Sequence, residues 1–274
     1  MKEKNGFSGY HLKMIALITM LVDHIAAVLI WRIYIASFRL NASMQLSDAL
    51  GDKIVVWVAE HQEMVYAIYE NMRLIGRMAF PLYCFLLVEG FLHTSNVKKY
   101  GVRLLLFAFI SEIPFDLALT GQLWDTSYSN VFFTLVIALV AMWAFSYIEK
   151  FAEFWKEKQW DTFLGTLVVA LAGVFVMAFS GGFAEMVLKT DYGFAGVFAI
   201  VAMYLLRKFR MLGFAVGIFI LTVFSSDTEI LALCMLYPMM RYDGTRGKSL
   251  KYVFYGFYPA HLLVLAILCM VIGV

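Results

Sequence analysis

The stretch LKMIALITMLVDHIAAVLIW, Leu12 to Trp31, decides how this chain is read. Coiled as a helix, a run of that length rises about 30 Å, the thickness of a bilayer's hydrocarbon core. The run is apolar enough to enter that core, yet Asp23 and His24 stand side by side near its middle. An ionisable group at that depth costs at least ~2.5 kcal/mol on insertion scales. A membrane helix that keeps two of them has either a function or a partner for them.

Working outward, the rest of the chain has the same character. Of its 274 residues 62% are hydrophobic and 15% charged, and the mean hydropathy is +0.79. A soluble globular domain is nearer 45–50% apolar and about 25% charged. Apolar runs recur from Leu12 to the C-terminus without period-two alternation, which excludes a β-barrel reading. The expected fold is therefore all-α: a polytopic transmembrane helix bundle forming a single integral membrane domain. Lys2, Lys4 and Lys13 ahead of the first apolar run imitate a signal peptide. Asp23 and His24 interrupt that run, however, and no small-x-small site precedes a polar start, so it reads as the first transmembrane helix. A net charge of +2 with no basic patch outside the loops gives no support for nucleic-acid binding. Cys84, Cys234 and Cys269 all fall in apolar spans and read as small core residues rather than disulfides or metal thiolates.

Hydropathy predicts about nine spans: 12–31, 76–93, 101–119, 131–149, 161–180, 193–207, 211–225, 228–240 and 251–273. The weakest boundary is FSSDTE, between spans seven and eight. With the N-terminus inside, sixteen of the 22 Lys and Arg fall in inside segments and six outside. That asymmetry predicts N-in, C-out. Four of the outside positive charges lie in one long extracytoplasmic loop, about 32–75, and a fifth, Arg77, lies just past it. Within it Ile54 to Asn71 is amphipathic. It reads as a helix on the membrane surface or lining a vestibule, with a re-entrant or packed loop helix as the alternative.

Depth then groups the polar residues. Lys13 marks the inside end of span one and His24 lies roughly 16 Å deeper; Lys251 marks span nine and His261 lies roughly 15 Å deeper. Arg103 opens span three, with Glu112 and Asp116 roughly 14 and 20 Å in. Asp23, His24, Glu112, Asp116 and His261 thus sit near mid-membrane on three helices. Singly, each is as well explained by a hydrogen bond that pins two helices together. Together they suggest one wet cavity. Lys13 and His24 share a helix face, whereas Asp23 and His24 point about 100° apart. Pro114 and Pro259, each beside this layer, free backbone carbonyls there. No G-x-S-x-G elbow occurs, and His61 between Glu60 and Glu63 has no second ligand at metal spacing, so no metal is expected.

Three patches resemble the TraX family of membrane proteins: LKMIALITMLVDHIA, GRMAFPLYCFLLVEGFLHTSNVKKYGVRLLLFAFISEIPFDLAL and YDGTRGKSLKYVFYGFYPAHLLVL. NVFFTL (Asn130 to Leu135) and DYGFAGV (Asp191 to Val197) fit as well. That family is named for a conjugation protein that acetylates the pilin N-terminus, and it is distantly similar to acyltransferase family three. The resemblance implies a bacterial cytoplasmic-membrane enzyme that uses acetyl-CoA. In family three a basic residue, ten others and a His mark the first helix, the spacing of Lys13 and His24. A later Arg-x-x-Arg has its counterpart in Lys99 and Arg103, one residue further apart.

What the resemblance implies chemically is a CoA-dependent acetyl- or acyltransferase. Lys13, Lys98, Lys99, Arg103, Arg246 and Lys248 would hold the phosphates of acetyl-CoA on the inside. His24 would act as general base or transient acyl carrier, with Asp23, Glu112 or Asp116 orienting it and His261 holding the acceptor or the thioester oxygen. The acceptor would be a peptide N-terminus, a glycan or a small molecule, with membrane lipid as the surrounding partner. Two other readings stay open: a proton-coupled transporter, and a non-enzymatic assembly factor for pili or conjugation.

Overall fold

A computed structural model of the chain describes residues 6–39, 50–158, 162–249 and 251–274. Lys2 and Lys4, counted above with the inside charges, lie outside the described residues, as do residues 40–49 of the long loop. The described chain is all-α. The helices are α1 (Gly9–His24), α2 (Trp31–Phe38), α3 (Leu50–Glu60), α4 (Gln62–Gly76), α5 (Ala79–His93), α6 (Val97–Leu119), α7 (Val131–Glu157), α8 (Thr162–Gly182), α9 (Gly193–Leu205), α10 (Arg210–Phe224), α11 (Leu236–Met240) and α12 (Lys251–Ile272). Among the described residues the β-type contacts are two isolated bridges, Phe7 with Tyr242 and Ser129 with Thr190.

Five continuous helical stretches are long and apolar enough to cross a bilayer: Gly9–Phe38, Gln62–His93, Val131–Glu157, Phe163–Val187 and Tyr252–Ile272. Their surfaces agree with that reading. On α8, Phe163, Leu171, Val174, Phe175 and Phe179 are all exposed, and only 11% of its apolar window is buried. A water-facing helix would carry a polar stripe there; a lipid-facing one needs none.

Two of these stretches are not regular throughout. A six-residue π-helical segment, Ile25–Ile30, follows His24 directly and joins α1 to α2. A second, Phe183–Val187, ends the α8 stretch. Between α10 and α11, Asp227–Met235 is a 3₁₀-helix of nine residues. A 3₁₀-helix rises about 2.0 Å per residue against 1.5 Å in an α-helix, so that segment reaches roughly 18 Å, further than an α-helix of equal length. Cys234 is exposed on it, which corrects the core reading of that cysteine; Cys84 and Cys269 are buried.

The chain forms two compact units. The first holds the residues up to Tyr83, Ile110–Asp125 and Tyr237–Val274; the second holds Cys84–Phe109 and Thr126–Leu236. In the second unit α7, α9 and α10 supply the core. Phe214, Met142, Leu139, Ile200, Ile218 and Leu221 are fully buried, and Gly213 and Gly217 let α10 close on α9. Asp191 ties its loop down: its N–H donates to Ser129 O, and its carbonyl accepts from Thr134 Oγ1. Tyr192 then turns through a left-handed φ of +64° before α9.

In the first unit α1 and α12 run side by side in the same direction. Lys13 lies over the Phe254 ring, His24 meets His261, and Cys269 Sγ reaches Val28 O. At one end Phe7 brackets the 241–243 backbone, and Gly9 N–H donates to Thr245 O. At the other end Ile33, Val55, Val58 and Val65 form a buried cluster that also receives Ile272 and Val274. The amphipathic segment 54–71 is therefore neither a lone surface helix nor an open vestibule wall. It divides into α3 and α4, which pack on the α1–α2 stretch, and α4 runs antiparallel to it: Gln62 faces Ser37, Tyr66 faces Tyr34, Tyr69 faces Trp31 and Arg73 faces Asp23.

Candidate functional site

The two mid-membrane histidines meet, His261 buried and His24 half-buried. His261 falls in the stripe Tyr258, His261, Leu262, Leu265, Ala266 and Cys269, the buried face of α12. That 3–4 spacing is one side of an α-helix, and it faces α1. His24, the last residue of α1, places Nδ1 at 2.6 Å from His261 Nε2. The far nitrogen of His261, Nδ1, is 2.6 Å from Phe257 O, one turn back on the same helix. Aromatic rings hold the pair: Tyr258 meets both imidazoles edge-on at 5.7 and 5.8 Å, and Phe257 stacks on His261 at 4.7 Å. The π-helical segment opens directly after His24, where the wider turn changes the direction in which following side chains leave the helix.

Asp23 serves a different neighbour. The 100° between it and His24 turns its carboxylate to α4, where Arg73 Nη1 donates to Oδ2 at 2.7 Å. Gly76 makes that approach possible, because a Cβ there would overlap the Asp23 side chain. Sequence reasoning placed Arg73 in the outside loop and missed this partner. The signal that could have found it is the stripe Val65, Tyr69, Arg73, Gly76 at steps of three and four, ending in a residue without a side chain.

The remaining site residues are distributed as follows. Asp116 is buried, and Oδ2 accepts the Asp125 N–H at 2.9 Å, so it anchors the 120–125 turn. It was expected to orient His24; this contact uses Oδ2 and leaves Oδ1 without a hydrogen-bond partner. Glu112 is buried one turn earlier. Lys13 stacks on Phe254, and Arg246, which donates to Ser249 Oγ, stands near enough to act on Lys13 electrostatically. Lys248 is exposed in the same loop, between Gly247 and Ser249. Lys98, Lys99 and Arg103 belong to the second unit; the two lysines are exposed at the start of α6, and Arg103 lies over the Tyr100 ring. His261, expected to hold an acceptor or thioester oxygen, has both ring nitrogens bonded, to His24 and to Phe257 O.

The family profile described as TraX protein matches residues 8–269. The chain belongs to the TraX family. Its family membership thus covers α1 with His24, α12 with His261, and the basic loop before α12. Among curated proteins, the chain is 29% identical over 294 residues to "Probable fimbrial assembly protein FimC, serogroup H1" of Dichelobacter nodosus, an alignment spanning 97% of each chain. No solved structure matches this TraX-family chain.

Proposed function

We propose that this TraX-family chain is a multi-pass protein of the bacterial cytoplasmic membrane that serves the assembly of pili or fimbriae. The observation that carries this reading is the end-to-end similarity to a fimbrial assembly protein, with no large segment left over on either side. The arrangement in the membrane is nine spans, N-in and C-out, with α3 in the extracytoplasmic segment and α4 running from it into the membrane along α1. The parallel course of α1 and α12 supports it, because two spans that point the same way are separated by an odd number of others. The basic loops at the α1 start and before α12 support the inside assignment of that end.

A finer reading is favoured by the histidine pair: the contribution to assembly is acyl transfer. A half-buried imidazole held by a second imidazole suits a general base. Lys13, Arg246 and Lys248 in the first unit are cations gathered where glycines 244 and 247 adopt positive φ, a donor set that suits the phosphates of acetyl-CoA. Acetyl-CoA would supply an activated acyl group. His24 would take the proton of the acceptor amine or hydroxyl, on a peptide N-terminus, a glycan or a small molecule.

Chromosomal deletion tests the first reading: cells should lose assembled surface fibres in electron micrographs, and full fibre numbers would overturn it. His24→Ala tests the second. The variant should accumulate and melt like the parent, while purified protein loses label transfer from radiolabelled acetyl-CoA by roughly a hundredfold or more. Unchanged transfer would remove His24 from the chemistry.

A further inference from the structure

We infer that His24 and His261 form an imidazole relay of fixed sense, in which His261 positions His24 and leaves His24 Nε2 as the basic nitrogen of the pair. The inference deepens the acyl-transfer reading and rests on it for the proton that the pair accepts. The argument begins at Phe257. Its carbonyl can only accept, so the 2.6 Å contact puts a proton on His261 Nδ1. A neutral imidazole has one donor and one acceptor nitrogen, so His261 Nε2 is the acceptor. The atom facing it at 2.6 Å is His24 Nδ1, which must therefore donate. The second nitrogen of neutral His24, Nε2, is left with its lone pair.

Ring geometry agrees. The two imidazole planes are 14° from parallel with centroids 4.9 Å apart, while two nitrogens approach to 2.6 Å. Rings stacked face to face would have all their atoms at similar separations. Here two edges meet nearly in plane, as an N–H···N hydrogen bond requires. The charged groups around the pair are Asp23 on α1, already bonded to Arg73, and Arg73 and Arg77 at the end of α4. Tyr258 is the neighbour from α12.

The chemistry follows. When His24 Nε2 takes a proton from an acceptor N–H or O–H, a new Nε2–H bond forms. The electron pair of the broken bond stays on the acceptor atom, which becomes the nucleophile. The positive charge on His24 is stabilised through Nδ1–H···Nε2 by His261, and from there by the Phe257 carbonyl. In Ser-His-Asp enzymes a carboxylate occupies the position that His261 takes here. At this depth an uncharged orienter avoids the cost of a second buried anion.

The test uses the full-length protein in detergent with ¹⁵N-labelled histidine. At neutral pH, ¹H–¹⁵N correlation spectra should show His24 as the Nδ1–H tautomer, its Nε2 resonating at the unprotonated position, although Nε2–H is the commoner tautomer in water. His261→Gln, whose carboxamide oxygen can accept in place of Nε2, should keep that tautomer and hold label transfer within about tenfold of the parent. His261→Leu should switch His24 to Nε2–H and cut transfer roughly a hundredfold or more. His24 found as Nε2–H in the parent, or Gln and Leu behaving alike, would overturn the relay. The relay tautomers present without any label transfer by the parent would overturn the acyl-transfer reading instead and leave the relay standing.

Discussion

Asp23 and His24 are adjacent in the chain and yet serve different helices, one meeting Arg73 on α4 and the other His261 on α12. Their roles separate accordingly. The Asp23–Arg73 pair is mostly shielded, with side-chain exposures of 19% and 27%. Removing one member of such a pair leaves a buried charge without its counterion, which costs about 3 kcal/mol, whereas replacing both members is far milder. Asp23→Asn and Arg73→Gln should therefore each lower the unfolding midpoint in detergent, and the double variant should recover more than half of the loss. Additive losses would show that the two residues do not support each other. At this scale the sequence was informative where depth alone decides contact. His24 and His261 were placed at one level by counting helical rise from Lys13 and Lys251, and they meet. It was less informative where contact depends on which segments pair: the stripe ending in Gly76 marks α4 as a closely packed helix, but not that the helix it packs on is α1. Asp116 shared the depth of the histidines, but its carboxylate turns to the Asp125 N–H, a choice fixed by the 120–125 turn.

At the level of helices, close approach is set by glycines. A Cβ on Gly51 would collide with the Ile272 carbonyl, and one on Gly217 with the Met203 side chain. Gly256 on α12 has open space around it. Glycine to alanine in an open helix position stabilises by about 0.5–1 kcal/mol. Overpacking costs about 1–3 kcal/mol. Gly51→Ala should thus destabilise while Gly256→Ala stabilises, a reversal of sign readable by thermal unfolding in the same detergent. Two changes of the same sign would contradict the tight seating of α3 on the end of α12. Hydropathy located the five helical stretches that are long and apolar enough to cross a bilayer, since burial of the backbone in lipid demands helix. It gave no warning of the π-helical segment after His24 or of the nine-residue 3₁₀-helix at Asp227–Met235. Those depend on how turns are wound against neighbours, which residue type leaves undetermined.

For the molecule as a whole, the proposed nine-span arrangement makes a mapping prediction. In a cysteine-free background, Gln122→Cys in the turn after α6 should react with a membrane-impermeant thiol reagent in intact spheroplasts. Ser95→Cys, between α5 and α6, should react only after the membrane is opened. Equal labelling of both would refute the proposed orientation. The discontinuity of the first unit has one more consequence. His24 and His261 are separated by 237 positions along the chain, and the second unit is encoded between them. During synthesis His24 enters the bilayer long before its companion exists. The histidine pair is therefore completed only when α12 leaves the ribosome, and a product terminated before it would insert with His24 lacking that partner. Supplying α12 as a separate polypeptide should then be a way to complete the pair at will.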